Sequence, residues 1–331
     1  MSVYIIAEAG VNHNGRLDLA LKLCDAAKEA GVDAVKFQTW KTENIVTKSA
    51  AKAAYQEENT GSEQSQYEML KELELSYPEF EKINEYCKKI GIQFLSTPDE
   101  EESLEYLCSL NLPFLKIGSG EVTNIPFLRK IGNKHQKVIL STGMSTLADV
   151  EKAYHTLMES GAKEVSLLHC TTNYPCPYHE VNLQAMQTLK AAFKCQVGYS
   201  DHTMGIEVPI AAVAMGAEII EKHFTLDRNR EGPDHKASLD PEELKQMVIS
   251  IRNIEQAMGD GIKHPNASEQ KNAEVVLKRI IAKKPIKKGD VLGEDNLALL
   301  RNSEGIPAKY WDLIAGKPAK RDYTEDEPIE L

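Results

Sequence analysis

Over the first 258 residues, short aliphatic or β-branched runs alternate with longer segments of helical spacing, and this alternation restricts the fold more than any other feature. The runs are YIIAE (4–8), AVKFQ (34–38), QFLST (93–97), FLKIG (114–118), KVILS (137–141), VSLLHC (165–170), QVGYS (196–200) and AEIIEKHF (217–224). Strands that alternate with helices indicate parallel βαβ units. Eight such units over about 250 residues have the size and repeat of a TIM (β/α)8 barrel. The alternative is a doubly wound open sheet, which would not need eight units of such even length.

The sequence is predicted to form two domains joined by a linker. Residues 1–258 are the predicted barrel, and the polar stretch 259–272 is the predicted linker. Residues 273–331 contain short strand and turn patterns, so a small β-rich domain is expected there. Within the barrel, the connection after the second strand, 39–76, is unusually long. Long connections in compact domains are usually functional, and this one leaves the end of a strand where barrel enzymes carry their active sites.

Charge and composition exclude several classes of partner. A net charge of −11 argues against binding to nucleic acid or to an anionic membrane. No apolar run reaches the length of about 18 residues that a transmembrane helix needs, and MSVYIIAEAG lacks the features of a signal peptide. The six cysteines include no C-x-x-C pair, which favours free thiols. A cytoplasmic protein is therefore predicted.

Polar or ionisable residues occur at the carboxyl end of every predicted strand. Because residues i and i+2 of a strand point to the same face, Lys36 and Gln38 share one face and Glu221 and His223 share another. Lys222 then faces the outer helices or solvent. Catalytic residues of a barrel come from these ends, whereas its interior layers are aliphatic. The candidate site residues read from the strand ends are Glu8, Lys36, Gln38, Thr97, Lys116, Ser119, Glu121, Ser141, Ser200, His202, Glu221 and His223.

His202 and His223 are a candidate metal pair. They end neighbouring predicted strands, which lie about 4.8 Å apart, so both imidazoles can reach one ion. Neither a cysteine nor a third histidine accompanies them, which argues against a closed structural zinc site. Two imidazoles with open positions suit a catalytic Mn²⁺ or Mg²⁺. The competing interpretation is that both are hydrogen-bonded core histidines.

Lys36 and Lys116 indicate either internal ion pairs or a bound anion. Burying an unpaired lysine costs several kcal/mol, so each should meet a carboxylate or an anionic ligand. With nearby serines and the backbone N–H groups of GSGE (118–121), the lysines could form a phosphate or carboxylate cradle. GSGE alone does not identify a ligand.

Many ordered motifs resemble the sialic acid synthases, which make nonulosonic acids from phosphoenolpyruvate. They are IIAEAGVNHNG (5–15), AVKFQTWK (34–41), FLSTP (94–98), KIGSGE (116–121), ILSTGM (139–144), LLHCTTNYPCP (167–177), VGYSDHT (197–203), IEKHFTLD (220–227) and GPDHKASLDP (232–241). KKGDVLGEDNLALLR (287–301) is similar to the family's C-terminal antifreeze-like (SAF) domain.

This resemblance implies a metal-dependent condensation of phosphoenolpyruvate with an open-chain N-acetylated sugar. Mn²⁺ is the favoured metal, held by His202 and His223, with Glu8 supporting that side of the site. The resemblance assigns Lys36, Thr97, Lys116, Ser119, Ser141 and Ser200 to phosphoenolpyruvate, Gln38, Tyr174 and Asp234 to the sugar, and Glu121 to orienting or deprotonating water. Arg301 matches an arginine that enters the partner's active site, which implies a domain-swapped homodimer.

The preferred sugar follows from departures within the resemblance. Many bacterial N-acetylneuraminate synthases have KHQTH where this chain has KFQTW, 36–40. Segment 40–75 is more similar to legionaminic acid synthases, so 2,4-diacetamido-2,4,6-trideoxymannose is favoured over N-acetylmannosamine. Two other functions compete: a Schiff-base sugar-acid aldolase with Lys116 or Lys36 as nucleophile, and a non-catalytic binding protein.

Overall fold

The computed structural model describes residues 2–60 and 64–330, which form two compact units, Met1–Gly259 and Asp260–Leu331. In the described part of the first unit, eight parallel strands form one sheet in the order β3-β2-β1-β8-β7-β6-β5-β4. The strands are β1 Tyr4–Gly10, β2 Ala34–Thr39, β3 Gln93–Pro98, β4 Leu115–Ile117, β5 Lys137–Ser141, β6 Glu164–Cys170, β7 Val197–Asp201 and β8 Ile219–His223. Because β1 pairs with both β2 and β8, the first and last strands are neighbours, and β3 packs beside β4. The predicted barrel is confirmed.

Helices follow the strands and cover the outside of the sheet. They are α1 Leu17–Ala30, α2 Thr42–Ile45, α3 Ala54–Thr60, α4 Gln66–Leu73, α5 Tyr77–Ile90, α6 Glu101–Ser109, α7 Ile125–Gly132, α8 Leu147–Glu159, α9 Gln184–Phe193, α10 Glu207–Ala214 and α11 Pro241–Ala257. Their ends follow local chemistry: Asp240 and Glu243 form a capping box at the start of α11. Gly31 ends α1 with φ at 82°, a left-handed conformation that costs a glycine little.

The inside of the barrel has an apolar layer directly below a polar one. Six buried side chains form the apolar layer, namely Ile6, Ala34, Leu95, Ile139, Leu168 and Ile219. Two residues further along these strands, on the same face, come Glu8, Lys36, Thr97, Ser141, Cys170 and Glu221. Each of these strands thus places an aliphatic side chain inside the barrel and, two residues later, an ionisable or polar one. The polar layer lies at the carboxyl ends of the strands.

The long connection after β2 is largely helical, because α2, α3 and α4 all lie in it. Residues 61–63 of this predicted loop lie outside the described residues. Ser65 and Glu68 form a capping box at α4, and Met69 and Leu73 of the same helix pack with Val11 and Trp40. The connection is therefore anchored to the loops after β1 and β2 by its own small core.

The second unit contains helix α12 Ala267–Val276, the antiparallel strands β9 Lys278–Ala282 and β10 Leu297–Arg301, and helix α13 Trp311–Ile314. Its own core includes Ile280, Ile286 and Tyr323. The predicted linker 259–272 runs into α12, whose N-cap Asn266 forms a capping box with Glu269. In the described ranges of the whole chain, every helix is too short or too polar to cross a membrane.

Candidate active site

A cavity of about 160 Å³ opens at the carboxyl ends of the barrel strands. It brings together most of the side chains that the sequence predicts for the site. Its lining consists of Glu8, Lys36, Gln38, Thr97, Asp99, Lys116, Gly118, Ser119, Gly120, Ser141, Met144, Cys170, Thr172, Tyr174, Ser200, His202, Glu221 and His223. This is the end of the barrel where catalytic residues are found in enzymes of this fold.

On one side of the cavity, Lys36 is held by a carboxylate and a hydroxyl. Its Nζ lies 2.7 Å from Glu8 Oε2 and donates to Thr97 Oγ1 at 2.9 Å. Gln38 Nε2 donates to Glu8 Oε1 at 3.1 Å. Burial raises the pKa of Glu8 to about 7, with Lys36 opposing the rise and the Glu221 carboxylate adding to it. Burial alone would lower the pKa of Lys36, but Glu8 and Glu221 outweigh it and raise that pKa.

Lys116 makes a second, similar arrangement on the facing strands. Its Nζ donates to Ser141 Oγ at 2.8 Å and lies 3.2 Å from Glu221 Oε2. Ser200 Oγ donates to the other oxygen of Glu221 at 3.1 Å. Burial opposes ionisation of Glu221, but Lys116 and Lys36 outweigh it and lower its pKa to about 2. Two buried cations therefore line one small cavity, each with a hydroxyl partner that can also reach a ligand.

The turn after β4 forms a tight corner with the loops after β5 and β6. Ser119 Oγ accepts from the backbone N–H of Gly143 at 2.9 Å and lies 3.1 Å from Cys170 Sγ. A methyl group on Gly143 would lie 2.3 Å from Thr172 Oγ1, so the backbone approaches as closely as it does only because residue 143 is glycine. Gly120 has open space where a side chain would be. Backbone and small side chains leave this corner free for an anion.

His202 and His223 face each other, with ring centroids 5.4 Å apart. His202 Nδ1–H donates a hydrogen bond to the carbonyl oxygen of Thr171 at 2.6 Å, which leaves Nε2 as the basic nitrogen. Burial lowers the pKa of both histidines, so both imidazoles are neutral at pH 7. The buried Nδ1 of His223 has no hydrogen-bond partner.

These two neutral imidazoles fit a divalent cation. A buried ring nitrogen without a hydrogen-bond partner is costly, and a metal ion is one group that would satisfy it. Among residues 2–60 and 64–330, no cluster of three or more histidine, cysteine, aspartate or glutamate side chains has the arrangement of a metal site. A cation here would thus have two protein ligands and would take the rest from water or substrate.

The remaining predicted residues lie at the rim or elsewhere. Asp234 Oδ2 is 3.7 Å from His223 Nδ1, and burial raises its pKa to about 7. The Tyr174 ring lies 4.0 Å, centroid to centroid, from that of His202. Glu121 is half-buried and accepts from Asn124 Nδ2 at 2.6 Å, and burial raises its pKa. Arg301 ends β10 in the second unit, where it is exposed.

Asp99 and Thr172 are two of the polar lining residues that the sequence prediction does not name. Asp99 follows Thr97 at a spacing of two, so the same alternation that identified Thr97 could have found it. Burial raises the pKa of Asp99 to about 7, against the effect of Lys36. Thr172 lies in the loop after β6, where no strand period applies and no signal in the sequence marks it. Its buried Oγ1 has no hydrogen-bond partner.

Comparisons with known proteins match both parts of the chain to known families. Residues 23–263 match the NeuB family and residues 279–331 match the SAF domain. The chain is 52% identical to the N,N'-diacetyllegionaminic acid synthase of Campylobacter jejuni, over 98% of each chain. It is 47% identical to the protein of the same name from Legionella pneumophila, over 96% of this chain and 90% of that one.

Its fold is similar to the crystal structure of an N-acetylneuraminic acid synthetase from Leptospira borgpetersenii in complex with citrate. The TM-score is 0.73 and the identity 37%, over 83% of this chain and 91% of that one. The family predicted from the motifs is thereby confirmed, together with the predicted SAF domain. The chain is an enzyme of the NeuB family, the sialic acid synthases.

Proposed function

We propose that this enzyme condenses phosphoenolpyruvate with an open-chain N-acetylated sugar and water to give a nonulosonic acid and phosphate. The observation that carries the proposal is the shared cavity: two buried lysines and two neutral imidazoles line a single space of about 160 Å³. Such a space suits a small anionic substrate beside a metal-held carbonyl.

Phosphoenolpyruvate carries a carboxylate and a phosphate, and the two lysines offer a cation for each. Lys36 comes from β2 and Lys116 from β4, and Thr97 Oγ1 and Ser141 Oγ accept hydrogen bonds from their ammonium groups. Charge-assisted hydrogen bonds from lysine to phosphate or carboxylate are roughly twice as strong as neutral ones. The open corner at Ser119 and Gly120 supplies further donors for the phosphate.

The carbon–carbon bond forms when C3 of phosphoenolpyruvate attacks the aldehyde carbon of the sugar, whose oxygen takes up a proton. A divalent cation held by His202 and His223, with Mn²⁺ favoured, polarises the aldehyde oxygen when it is bound. Gln38, Tyr174 and Asp234 would hold the sugar on this side of the cavity, and Glu8 would orient Gln38. The attack leaves cationic character at C2.

Water then adds at C2, and the intermediate loses phosphate. Glu121 is the proposed group that orients the water and takes its proton, because burial raises its pKa towards the range useful for a base. The C2–O bond to phosphate then breaks and its electrons leave with the phosphate oxygen, while the C2 hydroxyl loses its proton and becomes the keto group.

The favoured sugar is 2,4-diacetamido-2,4,6-trideoxymannose, which would give N,N'-diacetyllegionaminate. The identities of 52% and 47% to N,N'-diacetyllegionaminic acid synthases support this choice. N-acetylmannosamine, which would give N-acetylneuraminate, is the alternative.

We also propose a domain-swapped homodimer in which Arg301 enters the partner's site to contact the sugar. A mixture of His223→Ala and Arg301→Ala subunits tests it, since only mixed dimers then hold one complete site. Recovery of about a quarter of parental activity is expected on random mixing. Recovery of none would contradict a contribution from the partner subunit.

One observation favours a Schiff-base aldolase instead: burial lowers the pKa of Lys116, as a lysine nucleophile requires. Its contacts with Ser141 and Glu221 favour the charged ammonium form. Borohydride trapping separates the two functions, because only the aldolase forms a covalent adduct with pyruvate.

The deciding experiment uses phosphoenolpyruvate labelled with oxygen-18 in the bridge between C2 and phosphorus. C–O cleavage sends the label to phosphate, and only in the presence of sugar. Label retained in the sugar acid, or phosphate released without sugar, would overturn the proposed reaction. Running it with each of the two sugars also decides between legionaminate and neuraminate synthesis.

A further inference from the structure

A third buried lysine, Lys222, lies outside the cavity, in a network of polar contacts with Asp201 and Thr203. Lys222 Nζ contacts Asp201 Oδ2 at 2.5 Å and donates to the carbonyl oxygen of Thr203 at 2.5 Å. Asp201 Oδ1 accepts from the backbone N–H of Thr203 and from Tyr199 Oη, each at 3.0 Å. Asp201 Oδ2 also accepts from Thr203 Oγ1 at 3.0 Å. Both charged side chains are fully buried.

Residues of this network are direct sequence neighbours of both histidines. Asp201 and Thr203 flank His202, and Lys222 directly precedes His223. Asp201 and Lys222 are register partners where β7 pairs with β8. Because side chains alternate across a strand, the ion pair lies on the outer face of the sheet while the two imidazoles lie on the inner one. The predicted outward direction of Lys222 is thus seen, but towards a buried carboxylate and not towards solvent.

Stability alone does not explain charges at this position. A buried ion pair often contributes no more to stability than well-packed apolar side chains of similar volume. Directional hydrogen bonds do something that apolar contacts cannot: they fix backbone positions. Here four hydrogen bonds hold residues 201–203 and tie them to β8: Asp201 accepts from the Thr203 N–H, from Thr203 Oγ1 and from Lys222 Nζ, and the Thr203 carbonyl oxygen accepts from Lys222 Nζ.

We propose that Asp201 and Lys222 are positioning residues that set the spacing and orientation of His202 and His223 for one divalent cation. The inference rests on the proposed metal site. Without the pair, both histidines are still present, but their imidazoles should be misaligned for a shared ion. Groups that orient metal ligands typically contribute about 10–100-fold to metal affinity.

The test is equilibrium Mn²⁺ binding, followed by the electron paramagnetic resonance signal of free and bound Mn²⁺, with the melting temperature of the metal-free protein measured in parallel. The double variant Asp201→Leu/Lys222→Met replaces the pair by apolar side chains and is expected to keep its fold. Its Mn²⁺ affinity should fall about 10–100-fold. Asp201→Asn, the second variant, preserves the shape of Asp201 and should also bind Mn²⁺ more weakly.

Asp33 and Arg252 provide the matched control. Their ion pair at 2.9 Å also holds a backbone N–H, that of Ile5, but at the opposite end of the barrel from the cavity. Asp33→Leu/Arg252→Met should lower the melting temperature without changing Mn²⁺ affinity.

The outcomes separate the two proposals. Parental Mn²⁺ affinity in either folded Asp201 variant, in a protein whose His223→Ala variant has lost the ion, would overturn the positioning role alone. A parent that binds no Mn²⁺, or that binds it equally well as His223→Ala, would overturn the proposed metal site and this inference with it.

Discussion

Lys116 and Lys222 are both buried, and each is paired with a carboxylate at the end of a barrel strand, yet they have different surroundings. Lys116 lines a cavity and shares its ammonium group between Glu221 and the Ser141 hydroxyl. Lys222 lies on the outer face of the sheet, enclosed by Asp201 and a backbone carbonyl. One cation has space beside it for a ligand, and the other has none.

The difference teaches that the face of the strand on which a buried charged residue lies decides whether it can act on a ligand. Glu221 and His223 point inward, whereas the lysine between them points outward. Burial and residue type are the same for all three lysines of the barrel end, so neither identifies function. Contact with the cavity identifies the lysines that can act on a ligand.

The largest expected effect comes from His223→Ala. Without this ligand the cation no longer activates the sugar aldehyde, a contribution of several kcal/mol, so kcat/KM should fall by at least about 10³-fold. The melting temperature of the metal-free protein should change little, because the imidazole Nδ1 has no hydrogen bond to lose. Mn²⁺-dependent phosphate release measures the effect. Full activity with bound Mn²⁺ in the variant would show that His223 is not a ligand.

Glu121→Gln should come next, because it removes the proposed base without changing shape. A drop in kcat of about 10²-fold is expected, in line with general base catalysis, with little change in KM for phosphoenolpyruvate. Asn124→Ala is the control, since it removes the hydrogen bond to Glu121 Oε2 and the N-cap contact with the Phe127 N–H but leaves the Glu121 carboxylate in place. Equal loss in both variants would assign Glu121 a structural role.

Lys116→Met and Lys222→Met test the comparison directly. Lys116→Met should weaken phosphoenolpyruvate binding to metal-free protein about 10–100-fold, from the loss of one charge-assisted contact. Lys222→Met should leave that binding unchanged but cost about 3–5 kcal/mol of unfolding free energy, because Asp201 stays buried without its partner. Calorimetry and denaturant unfolding measure the two quantities. The reverse pattern would break the distinction between inner and outer lysines.

Gly143→Ala should have a smaller effect, through packing. Its methyl group would lie 2.3 Å from Thr172 Oγ1 and 2.9 Å from Ser119 Oγ. Overpacking of this kind costs about 1–3 kcal/mol and should displace Ser119, raising KM for phosphoenolpyruvate more than it lowers kcat. Gly120→Ala, whose methyl group would meet only open space, should leave the melting temperature unchanged. Equal melting temperatures for the parent and Gly143→Ala would contradict the crowding.

The final prediction concerns the pH dependence of stability at Asp99. Burial raises the pKa of Asp99 to about 7 from an ordinary value of 3.8. Its contribution to stability is therefore present below about pH 4 and is lost as pH rises to about 7, because the unfolded chain ionises first. Asp99→Asn should melt at a higher temperature than the parent at pH 8 and at the same temperature at pH 4. A difference that grows as pH falls would mean that Asp99 has a lowered pKa instead.

Much of this organisation follows from two simple periods in the sequence. Alternation of strands with helices predicts the barrel, and the period of two within each strand predicts that Lys36 and Glu221 face inward. Both hold because backbone geometry fixes them locally. Asp99 obeys the same rule but lies two residues beyond the predicted end of its strand, and strand ends are the least certain part of such a prediction.

Other parts of the site depend on distant contacts. Thr172 reaches the cavity from a loop, where no period applies. The pairing of Asp201 with Lys222 depends on the register between β7 and β8, which neither strand specifies alone. Helices α2, α3 and α4 lie in what the sequence presents as one long loop, and apolar side chains of α2 and α4 pack on Val11 and Trp40.

The measurement that tests the central claim most directly is phosphate release from phosphoenolpyruvate after treatment with EDTA, with and without added Mn²⁺ and sugar. The account predicts release only when both sugar and Mn²⁺ are present, with one phosphate for each sugar acid formed. Release that continues without metal, or that needs no sugar, would contradict it.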